Sequence, residues 1–111
     1  MPLIDKPTFE ELKQMSGADF INELIDAFLE DAPKMIREMQ TARAGRDVES
    51  FRRNAHSLKS NANTFGATEL ARQAKDLEMM AKENNLEVGN RLDRLKEAFQ
   101  GVARELEKMR A

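Results

Sequence analysis

The sequence predicts an all-α protein, an antiparallel four-helix bundle with one or two additional helices at its N-terminus. Apolar residues recur at intervals of three and four along most of the chain, and no segment shows the alternation of a strand. Ala, Leu, Met, Glu, Lys and Arg dominate, and 34% of residues are charged, as in helices with solvated outer faces. Short connections between the periodic segments favour antiparallel neighbours.

A short helix is predicted near the N-terminus. Thr8 and Glu11 have the spacing of a capping box, so this helix is expected over residues 8–15, ending at Gly17. Residues 1–6 are predicted to be a loose leader.

The second helix is predicted to begin near Ala18. Its apolar positions follow a helical period: Phe20, Ile21, Leu24, Ile25, Phe28 and Leu29. Pro33 is expected to break this helix and to lie at the start of a third one, which continues to Ala44 and ends at Gly45.

Three longer helices are predicted to complete the bundle. Asp47 is the expected N-cap of a helix over residues 48–65, and the next helix covers residues 67–83. Asn84-Asn85 marks a loop. The last helix, residues 88–109, carries an unbroken four-three alternation of apolar residues, which is typical of bundle packing.

Composition bounds the possible functions. A chain of 111 residues is expected to be one domain, residues 1–111, and it has no cysteine for disulfides or thiolate chemistry. A net charge of −2 does not favour nucleic-acid binding, and no apolar run approaches the ~20 residues of a membrane span. We expect a cytoplasmic monomer with no nucleic-acid or membrane contact.

His56 is the only histidine in the sequence and is predicted on the polar side of its helix. Arg52, Lys59, Ser60 and Asn63 share its face at helical spacing. A nucleophilic ring nitrogen beside cations and small polar groups suits reversible attachment of an anionic group.

Other interpretations of His56 are weaker. A single surface histidine is often functionally silent. A metal site lacks ligands in the local sequence, so no metal is expected. Hydrolytic catalysis lacks a local partner carboxylate, although one could come from another helix.

The segment Ala55-His56-Ser57-Leu58-Lys59, followed by Asn63 to Phe65 and Gly66-Ala67, resembles the signature of histidine-containing phosphotransfer (HPt) domains. The resemblance covers essentially the whole chain. It implies that His56 accepts a phosphoryl group through Nε2 from a receiver-domain aspartate and passes it to another receiver. It also implies that Lys59 offsets the phosphoryl charge and that Gly66 allows close helix packing. The family most often has Gly where this chain has Ser60.

The resemblance implies a phosphoryl carrier without kinase activity of its own, since no glycine-rich ATP loop is present. Mg²⁺ is expected from the receiver partner, and a parent hybrid sensor histidine kinase is a further candidate partner. Arg52, Ser60, Asn63 and Gly66 are the predicted docking and packing residues. Two alternatives stay open: a structural or adaptor bundle without phosphotransfer, and the dimerisation and phosphoacceptor domain of a histidine kinase.

Overall fold

The computed structural model describes residues 3–110, in which five α-helices and no strands occur. The helices are α1 Lys6–Ser16, α2 Ala18–Ala44, α3 Val48–Thr64, α4 Thr68–Lys82 and α5 Arg91–Lys108. This confirms the all-α class.

Helices α2 to α5 form the bundle. Each packs against the next along the chain, and α5 closes the ring by packing against α2. The short α1 lies against α2 and α3. One continuous core results, in which the largest fully buried side chains are Phe9, Phe51, Ile21, Ile25, Met39, Leu58, Leu70, Leu77, Leu95 and Leu106. The predicted four-helix bundle with one additional N-terminal helix is therefore confirmed.

The predicted break at Pro33 is wrong, because α2 runs without interruption for 27 residues. The buried residues on both sides of the proline continue a single stripe, with Phe28 and Ala32 before it and Ile36 and Met39 after it. A proline inside a helix removes one backbone hydrogen bond, at a cost of roughly 3 kcal/mol. Burial of this continuous apolar face offsets that cost.

The N-terminal cap was also predicted incorrectly. Asp5, not Thr8, caps α1, because its carboxylate accepts hydrogen bonds from the Thr8 backbone N–H and hydroxyl. Ile4 is buried, and Lys6 already lies in the helix. The prediction of a loose leader is therefore wrong for Ile4 and Lys6. Met1 and Pro2, which were also assigned to the leader, lie outside the residues that the structure describes.

Gly66 explains why the chain before α1 is held in place. The Asp5 N–H donates to the Gly66 carbonyl at 2.8 Å. Gly66 has φ +78°, and a Cβ there would lie 2.9 Å from the Asp5 carbonyl oxygen and 3.0 Å from Thr8 Cβ. Only glycine permits this approach without strain. The contact joins α1 to the connection between α3 and α4.

The last helix begins later than predicted. Val88 is buried but precedes α5, which starts at Arg91. Leu86 is buried as well, so the connection from α4 covers part of the core. Apolar spacing alone does not distinguish a buried residue in a connection from one in the first turn of a helix.

Replacement of Gly66 by alanine tests the close approach. We expect Gly66→Ala to lower the free energy of unfolding by about 2–4 kcal/mol, since both the positive φ and the contact with Asp5 oppose a Cβ. Gly89→Ala is the matched control: Gly89 has φ +57° but nothing within 4 Å of an added Cβ, so about 1 kcal/mol is expected. Urea unfolding measures both. Equal losses of unfolding free energy in the two variants would show that the close contact of Gly66 with Asp5 does not contribute.

Candidate functional site

The His56 side chain projects from the middle of α3 and is 55% exposed. The opposite face of α3 buries Phe51, Ala55, Leu58 and Ala62 in the core. This burial fixes the rotation of α3 about its own axis and therefore points His56 towards solvent. The ring is presented from a rigid helix.

A carboxylate from the neighbouring helix holds the ring. Glu78 of α4 is only 3% exposed, and its Oε2 lies 2.8 Å from Nδ1 of His56. Its other oxygen, Oε1, accepts a hydrogen bond from Nζ of Lys59 at 2.7 Å. One carboxylate therefore connects α4 to two residues of α3 that are one turn apart.

Glu78 is held in its ionised form. Burial alone would raise the pKa of its carboxyl group, but hydrogen bonds from Lys59 and His56 and the positive charge of Lys59 outweigh burial and hold the pKa below its usual value. An ionised carboxylate only accepts hydrogen bonds.

This contact selects the tautomer of His56. Because Glu78 accepts at Nδ1, the ring carries its proton there, and in the neutral imidazole Nε2 keeps a free lone pair. The nucleophilic nitrogen is thus Nε2, because Nδ1 is engaged in the hydrogen bond with Glu78. A buried carboxylate that orients an imidazole in this way also stabilises positive charge that develops on the ring.

Two lysines flank the carboxylate differently. Lys59 is 24% exposed and donates directly to Glu78, whereas Lys82 is 57% exposed, with Nζ 3.8 Å from Oε2. Lys59 is thus fixed in the interhelical contact, and Lys82 lies at its outer edge.

The other predicted site residues are distributed along α3. The Arg52 guanidinium pairs with Glu49 rather than with the site. Ser60 and Asn63 are exposed on the side of α3 that carries His56. Gly66 follows His56 by ten residues, about 15 Å along a helix axis, and contacts Asp5 instead. The structure therefore brings together His56 and Lys59, but not Gly66.

Sequence reasoning missed Glu78, although a signal was present. Glu78 lies next to Leu77 and midway between Ala74 and Ala81, all buried residues of α4. A glutamate on the inward stripe of a helix is almost always paired, because burial of an isolated carboxylate is costly. What the pattern does not reveal is which residue of another helix is its partner.

The site and fold define a helical bundle that presents an oriented histidine on its surface. Residues 23–110 match the family model of the Hpt domain, so the chain belongs to the Hpt domain family. It is a phosphorelay intermediate of two-component signalling. The predicted resemblance is confirmed.

Individual relatives agree with this assignment. The phosphorelay protein LuxU of Vibrio harveyi is 28% identical over 85 residues, which cover 77% of this chain and 75% of LuxU. The sensor protein TorS of Escherichia coli K12 is 33% identical over 63 residues, which cover 57% of this chain but only 7% of TorS.

A solved structure shows the same fold. The crystal structure of histidine-containing phosphotransfer protein B from Pseudomonas aeruginosa PAO1 matches with a TM-score of 0.88 and 24% identity, covering 98% of this chain and 95% of that one. Within residues 3–110, no helix combines the length and apolar character needed to cross a membrane.

The buried carboxylate makes a pH-dependent contribution to stability. In the folded state the pKa of Glu78 lies below its ordinary value of 4.5. The stabilisation from its charge is therefore fully present above about pH 4.5 and is lost as pH falls through the folded-state pKa. At neutral pH we expect Glu78→Gln to lower the free energy of unfolding by about 1–3 kcal/mol. The loss should shrink below about pH 4.5. Urea unfolding at pH 7 and pH 3.5 measures it.

Glu49→Gln is the control for this prediction. Glu49 also pairs with a cation of α3, but its side chain is 63% exposed, so a much smaller loss is expected. A loss for Glu78→Gln that is independent of pH would contradict the role assigned to its charge.

Proposed function

We propose that His56 is the phosphoryl-accepting residue of this phosphorelay intermediate. The observation that carries the proposal is the contact between Nδ1 of His56 and the buried Glu78 carboxylate. It leaves Nε2 as the free nucleophile on a side chain that is open to a partner protein. A structural histidine would have no need of both an exposed ring and a buried carboxylate that orients it.

The chemistry follows from this orientation. Nε2 of the neutral ring attacks the phosphorus of an aspartyl phosphate on a receiver domain, the P–O bond to the aspartate breaks, and the aspartate carboxylate leaves. The ring then carries the phosphoryl group on Nε2 and its original proton on Nδ1, with a positive charge that Glu78 balances. The reverse steps deliver the group to an aspartate of a second receiver. Since phosphoryl transfer has a loose transition state, alignment and charge balance are the main requirements.

Lys59 supports the site from beside the ring. By donating to Glu78 it keeps the carboxylate ionised and offsets the negative charge of that carboxylate beside the ring. Ser60, Asn63 and Arg52 lie on the same side of α3 and form the proposed docking face for receivers.

We assign the Mg²⁺ ion and the catalytic acids to the receiver partner. Residues 3–110 contain no group of three or more histidine, aspartate or glutamate side chains arranged to hold a metal ion. In this proposal the chain has no ATP-binding or kinase activity of its own and works as a cytoplasmic monomer. The match to a segment of a sensor protein supports a hybrid sensor kinase as one candidate partner.

Substitution of His56 tests the proposal directly. A receiver domain carrying labelled aspartyl phosphate is mixed with this protein in the presence of Mg²⁺, and acid-labile label on this chain is measured. The wild-type chain is expected to take up label, and His56→Gln is expected to take up none. Ser57→Ala, an exposed neighbour on α3, is the control and should accept label normally. Equal labelling of His56→Gln would overturn the assignment.

Substitution of Glu78 tests the orienting role. Glu78→Gln keeps the shape of the side chain but removes its charge, so we expect label uptake to slow by about tenfold or more. Proton-detected ¹⁵N NMR of the imidazole should show loss of the preference for Nδ1–H in the same variant. Unchanged uptake together with an unchanged tautomer would contradict this role.

A further inference from the structure

Phosphorylation changes the charge balance of the site. When the His56 ring is in the neutral form that attacks phosphorus, the charges of the ring, the Glu78 carboxylate and the Lys59 ammonium sum to zero. A phosphoryl group on Nε2 adds about two negative charges, and the retained Nδ1 proton leaves the ring positive. The three groups then carry about one negative charge in excess. A further cation is needed for balance.

Lys59 is poorly placed to supply this charge. Its Nζ lies 2.7 Å from Oε1 of Glu78, and the side chain is largely covered. If Lys59 left Glu78 for the phosphoryl group, a carboxylate that is 3% exposed would lose a hydrogen-bond partner, which is costly in a buried position. We therefore expect Lys59 to stay with Glu78.

Lys82 has the properties that Lys59 lacks. It lies one turn after Glu78 on α4, and its Nζ is 3.8 Å from Oε2, the oxygen that also contacts the His56 ring. This separation is longer than a hydrogen bond, and the side chain is 57% exposed. Its ammonium group can move towards the ring without leaving a buried group unpaired.

The other cations near the site either form ion pairs with other carboxylates or form no ion pair with Glu78. Arg52 pairs with Glu49, and Arg72 of α4 pairs with both Glu69 and Asp76. Lys75, one turn before Glu78, makes no ion pair within the described part of the chain. Lys82 is thus the cation of α4 that lies next to the Glu78 oxygen shared with His56 and is exposed enough to reorient.

We propose that Lys82 binds the phosphoryl oxygens on His56, whereas Lys59 fixes Glu78. This inference rests on the proposed function and assigns a phosphoryl-binding role to a residue outside the signature run from Ala55 to Ala67. The two lysines then have different roles: Lys59 holds the Glu78 carboxylate that orients the ring, and Lys82 binds the phosphoryl group on the ring.

Phosphoramidate is the probe that separates this proposal from receiver docking. It transfers its phosphoryl group to the ring without a protein partner: the P–N bond of phosphoramidate breaks, ammonia leaves and the Nε2–P bond forms. Loading is followed by ³¹P NMR on the full chain, and the Nζ signals of lysines are followed by heteronuclear NMR, with assignments from Lys→Arg variants.

On loading, we expect the Lys82 Nζ signal to shift and its protons to exchange more slowly, while the Lys75 signal stays unchanged. Lys82→Ala should be loaded about two- to fivefold more slowly than wild type, as for loss of one exposed charge contact. Raising the salt concentration should narrow this difference. Lys82→Arg should restore most of the rate, and Lys75→Ala, which removes the same charge from the same helix, should match wild type.

Two results would overturn the proposal: a shift at Lys59 but not at Lys82, or equal effects of Lys82→Ala and Lys75→Ala on the loading rate, both compared below the unfolding temperature of each variant. If phosphoramidate loads His56 but a phosphorylated receiver does not, the proposed function fails while the assignment of Lys82 is still tested. If receivers load His56 and Lys82→Ala behaves as wild type, only the inference on Lys82 fails.

Discussion

The bridge made by Glu78 is the interaction on which the site depends. Its carboxylate is buried between α3 and α4 and accepts from both His56 and Lys59. A buried charge of this kind contributes little net stability, because the loss of hydration offsets most of the attraction. What it provides is orientation: the ring has one preferred tautomer and one outward nitrogen. Removal of either partner would leave the carboxylate short of a hydrogen bond in a place that water barely reaches.

The bundle makes that bridge possible by fixing two helices against each other. On α3, Ala55 and Leu58 are fully buried beside His56 and Lys59, and on α4 Leu77 is buried beside Glu78. Each polar side chain of the site therefore has an apolar neighbour that sets the rotation of its helix. Close-packed cores resist small displacements. The 2.8 Å contact between two helices is held by packing as much as by charge.

A phosphoryl carrier has to accept its group and release it again, and the site reflects both needs. In the buried half of the site, each oxygen of Glu78 already accepts a hydrogen bond, one from Lys59 and one from His56. The exposed half, Nε2 of His56 with Lys82 nearby, is open to a partner. Because the cations at the outer edge are solvated, their attraction for a phosphoryl group would be modest in the proposed transfer, which suits both acceptance and release. Gly66 and its contact with the start of α1 lie beyond the C-terminal end of α3, where they stabilise the fold and do not contact His56.

The sequence by itself determined the class of fold, the exposed face of His56 and the family resemblance, because helical periodicity is local and the motif lies on one helix. Caps at Asp47 and stops at Gly17 and Gly45 were predictable for the same reason. The continuity of α2 through Pro33 was not, since it depends on burial of the helix against distant segments. The cap at Asp5 is a local contact with Thr8 that the sequence analysis missed, although Pro7 in the first turn favours a helix start there. Only the tertiary structure decided that Glu78, 22 residues from His56, is its partner. The pattern of α4 shows that this carboxylate faces inward, but its partner is set by how two helices pack.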